Sequence, residues 1–139
     1  MRPRSILAVC SGNTCRSPMA EAIARSLLGN STLVESAGLD ALEGKCANKK
    51  AVTVMKEMGL DIEAHRTRNI GSVDANTFDM VVAMCPSIAR KLAELGVESQ
   101  RIAELNVPDP FGTDVDEYRS TAKQIASQLK TLFGVLPDV

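Results

Sequence analysis

Apolar and polar positions along the chain fall into short continuous apolar runs that alternate with longer stretches of helical period. Residues 5–9 form an apolar run ending in a Gly/Asn/Ser cluster, the pattern of a buried strand feeding a loop. Ser17-Pro18 then opens residues 19–28, rich in Ala, Leu, Ile and Glu. Ser17 is the expected N-cap, Pro18 suits the first helical position, Glu21 supplies first-turn charge and Gly29-Asn30 is the stop. Residues 32–36 predict a second strand, closed by Ala37-Gly38. Residues 48–58 place Ala51, Val52, Val54, Met55 and Met58 at helical spacing before Gly59. A buried third strand is expected over 78–84, a helix over 86–95 and a brief last strand over 102–105. The final helix, 115–133, carries Ile125, Leu129, Leu132 and Phe133 on one face, with Asp114 as N-cap and Asp116 solvated in the first turn. Strands alternating with helices predict an α/β fold, a parallel doubly wound sheet in one domain spanning residues 1–139. Ligands of such sheets bind outside the carboxyl ends of the strands, which puts the loop after residue 9 at the expected site.

Composition narrows the function classes. The 139 residues are 45% hydrophobic and 24% charged, enough for one buried core. Sixteen Lys and Arg against 17 Asp and Glu give a net charge of -1, so no global basic field is available to hold nucleic acid. Aromatic content of 3%, with no Trp, leaves few stacking platforms for single strands. No apolar run approaches the ~20 residues that cross a bilayer. The basic start Met1-Arg2-Pro3-Arg4 leads into an apolar stretch that ends at Cys10, short of a signal peptide, so a cytoplasmic location is expected. In a reducing compartment the four cysteines pose a question of reactivity rather than of structural pairing.

The loop reads Cys10-Ser11-Gly12-Asn13-Thr14-Cys15-Arg16-Ser17, a Cys and an Arg with five residues between them. Five residues can curl into a cup whose N–H groups point inward, an anion nest closed by the following helix. Gly12 and Asn13 both tolerate the left-handed backbone such a cup needs. Cys10 at the base would be favoured as thiolate, Arg16 can fork onto two phosphoryl oxygens, and Ser17 can donate to the sulfur. The assembly suits nucleophilic attack on phosphorus through a phospho-cysteine intermediate. An isolated Cys-x5-Arg would be a strand-end cysteine and a surface arginine. The complete run between strand and helix points instead to chemistry. No Gly-Lys-Ser/Thr follows, so this is not a nucleotide-binding P-loop. A general acid is also required, and Asp109, stiffened between Pro108 and Pro110, is the candidate.

Cys-x-Gly-Asn-x-Cys-Arg-Ser-Pro-Met-Ala-Glu near the start, with Asp-Pro-Phe-Gly at 109–112, resembles the low-molecular-weight protein tyrosine phosphatases. Weaker similarity continues through residues 35–38 and 65–68. The resemblance implies a four-stranded parallel sheet flanked by helices in a three-layer sandwich, acting without cofactor or metal on phosphorylated protein substrates. It also implies Cys10 as nucleophile, Arg16 as phosphate binder and Asp109 as general acid, within a phosphate loop of Ser11, Gly12, Asn13, Thr14, Cys15 and Arg16. Ser17, Ser36 and His65 then support the loop, with Ser17 stabilising the thiolate. A reversible Cys10–Cys15 disulfide is a family safeguard, although Cys15 also reads as a small space-filler.

Two positions bear on substrate. Thr14 stands where tyrosine-specific members carry a larger aliphatic, and this variant resembles the bacterial protein-arginine phosphatase subgroup; it also reads as loop packing. Phe111 stands alone where tyrosine-directed relatives often have two aromatics. Phosphoarginine is therefore the expected substrate, with phosphotyrosine the alternative. Thioredoxin-coupled arsenate reductases share the loop, but they resemble a pattern with two later cysteines, and none follows Cys85 here. A silent phospho-binding module would lack the nucleophile, the Arg or the acid, and all three are present. Cys46 and Cys85 read as ordinary thiols, and the lone His65 has no partner at metal-ligand spacing.

Overall fold

The computed structural model describes residues 3–135. Met1, Arg2 and residues 136–139 lie outside the described residues, and with them the first two residues of the basic N-terminus. Four strands, β1 (Ser5–Cys10), β2 (Leu33–Gly38), β3 (Met80–Ala83) and β4 (Ile102–Glu104), pair in parallel in the order β2-β1-β3-β4. Between and after them run α1 (Arg16–Leu28), α2 (Lys49–Glu57), α3 (Pro86–Glu94) and α4 (Val115–Phe133). The α/β reading and the element order hold.

Side chains alternate across a strand, so β1 feeds both faces of the sheet. Ile6, Ala8 and Cys10 join Met19 and Ile23 of α1, Val54 and Met55 of α2, and Tyr118, Ile125 and Leu129 of α4 in one core. Leu7 and Val9 join Val81, Ala83, Phe78 and, from α3, Ile88 and Leu92 in the other. Fully burying a residue of this size contributes about 1.5–3 kcal/mol. Burial on both sides thus anchors the strand that ends at Cys10.

Several boundaries shift for identifiable reasons. Strand β2 continues through Ala37 and Gly38, because these pair with Val9 and Cys10 of β1. Helix α1 begins one residue before Ser17, with Cys15 as N-cap and no side-chain cap, so the Ser17 prediction is corrected. Glu21 consequently lies beyond the first turn and pairs with Arg25 at 3.0 Å. Asp114 caps α4 as expected, accepting from Glu117 N–H, and Asn48, read as the first residue of its helix, instead caps α2 by accepting from Lys50 N–H. On α4, Ile125 and Leu129 are buried and Leu132 and Phe133 partly so, and the packed face extends up to Tyr118, Thr121 and Ala122.

The outer edge of β2 is covered by backbone at its end, where Gly38 N–H bonds Arg68 O at 2.9 Å, and by guanidinium groups further back. Arg25 Nη2 donates to Val34 O at 2.7 Å and Arg68 Nε to Ser36 O at 3.4 Å. Among the described residues, no helix is long and apolar enough to cross a membrane.

Candidate active site

The five residues between β1 and α1 form a cup at the carboxyl end of the sheet. Four loop carbonyls turn outward to surrounding donors. Leu39 N–H bonds Cys10 O, Asp40 N–H bonds Ser11 O, and Asn48 N–H bonds Thr14 O, each at 2.9 Å; His65 Nε2–H donates to Asn13 O at 2.8 Å. In a trans peptide the N–H points opposite the carbonyl, so the N–H groups of Ser11, Gly12, Thr14 and Cys15 face the interior of the cup. Asn13 alone takes the left-handed conformation, at φ 59°; Gly12 does not need it.

Asn13 is fully buried and every polar atom it has is used. Its N–H reaches Cys10 Sγ at 3.3 Å, its Nδ2 donates to Ser17 Oγ at 2.8 Å and Ser36 Oγ at 3.0 Å, and its Oδ1 accepts from Arg68 N–H at 2.9 Å. Ser17 Oγ lies 2.9 Å from Cys10 Sγ. Because Asn13 donates to that oxygen, the Ser17 proton is free to point at the sulfur. This explains why Ser17 does not cap the helix: its hydroxyl is turned to the cup.

Arg16 is buried and donates from Nη1 to Val107 O at 3.0 Å, while Nη2 lies 3.8 Å from the Asp109 carboxylate. Asp109 is half-exposed after β4, and its Oδ1 accepts Phe111 N–H at 3.0 Å, which fixes the carboxyl in an Asx turn. Phe111 stands exposed beyond it. Cys10, Gly12, Thr14, Cys15, Arg16, Asp109 and Phe111 line one cavity of about 230 Å³. Asn13, Ser17, Ser36 and His65 lie behind the loop. Ser36 and His65 also border a larger hollow of about 550 Å³ at the β2 edge, lined by charges of both signs and remote from the sulfur.

Cys15 is turned toward α4, its Sγ 3.2 Å from Tyr118 Oη and 3.6 Å from Thr14 Oγ1. Burial pushes the Cys15 thiol up against the opposing pull of the Tyr118 and Thr14 hydrogen bonds, and burial with the Cys15 contact raises the Tyr118 hydroxyl. Cys85, half-buried at the N-cap of α3, reads in sequence as an ordinary thiol. Burial works to raise it, but the Ser87 hydroxyl, the Ile88 N–H and the Arg16 guanidinium together bring it below the usual thiol range. Sequence reasoning missed Cys85, Tyr118, Val107 and Arg68. Arg68 left a signal in the family-like segment 65–68, and Cys85 another, its place just after a strand at the carboxyl edge of the sheet.

The arrangement can hold a tetrahedral oxyanion above a sulfur, with one guanidinium and one carboxyl at its mouth. Known proteins agree with it. Residues 5–138 match the model of the low molecular weight phosphotyrosine protein phosphatase family. A probable low molecular weight protein-tyrosine-phosphatase, EpsP of Ralstonia solanacearum, is 36% identical over 84% of this chain and 79% of its own. Arsenate reductase 2 of Staphylococcus epidermidis is 31% identical over 94% and 97%. The solved YwlE arginine phosphatase of Geobacillus stearothermophilus superposes with a TM-score of 0.84 at 29% identity, covering 95% of this chain and 92% of that one. The chain belongs to the low molecular weight phosphotyrosine protein phosphatase family and is a cysteine-based phosphatase of that type.

Proposed function

We propose that the chain dephosphorylates protein side chains in the cytoplasm by two displacements, with phosphoarginine as its substrate. The observation that carries this reading is the Cys10 sulfur at the floor of an N–H-lined cup whose mouth is formed by Arg16, Asp109 and Thr14. In the first displacement Cys10 forms an S–P bond as the bond from phosphorus to the leaving atom breaks. Asp109 gives its proton to that atom. The cup N–H groups and Arg16 take up the charge growing on the equatorial oxygens. In the second, Asp109 removes a proton from a water that attacks phosphorus, the S–P bond breaks, and inorganic phosphate and the Cys10 thiolate are released. Ser17 and Asn13 hold the sulfur throughout, and Ser36 and His65 hold Asn13. Cys15 would reduce an oxidised Cys10 to a disulfide only after leaving Tyr118.

Arginine specificity draws on Thr14, which lines the cavity and whose type of side chain can bond a guanidinium, and on Phe111 as a single exposed aromatic. The likeness to the YwlE arginine phosphatase supports it too. The alternative is phosphotyrosine, which the relative EpsP is named for. Arsenate reduction has a relative in its favour, but no cysteine follows Cys85 to complete a thiol relay. The test is kcat/KM on a phosphoarginine protein beside a phosphotyrosine peptide, with Cys10→Ser as the zero. A ratio strongly favouring phosphoarginine is expected. A ratio favouring phosphotyrosine reduces Thr14 to loop packing, and activity that survives Cys10→Ser removes the nucleophile assignment.

A further inference from the structure

Asp109 stands on a segment with few polar ties to the rest of the fold. Just before it Val107 is fixed, its N–H bonding Met84 O at 2.9 Å and its carbonyl accepting Arg16 Nη1 at 3.0 Å. Beyond Val107 the bonds turn inward. Phe111 N–H donates to Asp109 Oδ1, and the N–H and hydroxyl of Thr113 both donate to O of the buried Pro110. Arg16 approaches the Asp109 carboxylate at 3.8 Å. Among the described residues, the one hydrogen bond that reaches 108–113 from elsewhere is donated by Lys50 Nζ of α2 to Thr113 O. The same ammonium stands 5.8 Å from the centre of the Tyr118 ring on α4, within cation–π range.

Lys50 belongs to the start of α2, where the cup is also held. Lys50 N–H donates to Asn48 Oδ1 and Asn48 N–H to Thr14 O, each at 2.9 Å. One helical turn therefore grips the phosphate loop at Asn48 and the Asp109 segment at Lys50. We propose that Lys50 is a positioning residue for the first displacement: it ties the Asp109 segment to the helix that holds the cup, and so sets where the carboxyl meets the leaving atom. A proton donor works only within hydrogen-bond reach of the atom it protonates, and small misplacements are costly. Gly112, at φ 84°, puts a soft joint beside Thr113. Without the Lys50 contact, that joint lets the segment swing about its single fixed end at Val107.

The proposal rests on Asp109 being the proton donor. Its test is kcat/KM on p-nitrophenyl phosphate and on phenyl phosphate, with the inhibition constant of inorganic phosphate, for the wild type, Lys50→Met, Asp109→Asn and the double variant. Met keeps an unbranched stem beside Tyr118 and removes both the donor and the charge. The nitrophenolate leaves without a proton, whereas phenolate needs one. Lys50→Met is expected to lose several-fold on phenyl phosphate, little on p-nitrophenyl phosphate, and nothing in phosphate binding. In the Asp109→Asn background the same change is expected to cost nothing more, because no proton is then left to place. Equal losses on both esters, weaker phosphate binding, a full further loss in the double variant, or a Lys50→Met that matches wild type would each overturn the role of Lys50 alone. An Asp109→Asn that loses equally on the two esters would overturn the acid assignment beneath it.

Discussion

At the scale of single residues, the site is governed by how completely Asn13 is engaged. One side chain ties the strained corner of the loop to Ser17, to Ser36 on β2 and to the backbone of Arg68. Its own N–H reaches the sulfur. Asp109 is the opposite case, half-exposed and held through its Asx turn. As a proton donor it matters most where the leaving group is poor. Asp109→Asn is therefore expected to lower kcat on phosphotyrosine by about 10²-fold, and much less on p-nitrophenyl phosphate, whose leaving oxygen needs no proton. An equal loss on both esters would make Asp109 a structural residue. Cys10, Arg16 and Asp109 stand out as candidates in the sequence through spacing within one loop and prolines beside one acid, and the structure brings the three to one cavity. The Ser17 cap was misread because a serine before proline satisfies the capping rule, whereas a sulfur seven residues earlier competes for the same hydroxyl. Tyr118 on Cys15 and Arg16 on Val107 span 103 and 91 residues, and no local pattern announces such contacts.

Among the secondary-structure elements, the decisive contact is the end of β2 against the loop. A β-carbon on Gly38 would sit 2.5 Å from Ser11 O, and 2.9 Å from both Asn13 N and Ala41 Cβ. Two of those neighbours are backbone of the cup, so the loop itself would have to move. Gly38→Ala is expected to lower both the melting temperature and phosphate affinity, and kcat/KM by about 10²-fold if the sulfur shifts by ~1 Å. Differential scanning fluorimetry with and without phosphate, beside kinetics, checks this; a fully active, equally stable variant would show that the loop has slack. Helix α4 was well read because amphipathic spacing and an end signal agree, with Asp114 at its start. Strand β2 was cut short because Ala37-Gly38 reads as a stop, while its pairing with Val9-Cys10 carries it two residues further.

For the molecule as a whole, two packed faces make the sheet a rigid platform, and its carboxyl edge gathers Cys10, Cys85 and the Asp109 loop from three different strands. The two lateral margins are treated differently. Strand β4 is only three residues long, so it offers little to pair with. Strand β2 is twice that length, and its outward carbonyls at Val34 and Ser36 are occupied by Arg25 and Arg68. These two arginines do no chemistry on phosphorus, yet they decide what else the strand can bond. Replacing both with Ala uncovers a length of unpaired backbone at the same time as it removes two positive charges. The double variant is expected to keep its circular dichroism spectrum but to associate with rising concentration, as light scattering would report; a variant monodisperse at all concentrations would rule this out. On that expectation the pair would guard the native strand against fibre-like stacking, and protection of the edge and geometry of the cup would share the stretch of chain where Ser36 and Arg68 also steady the loop.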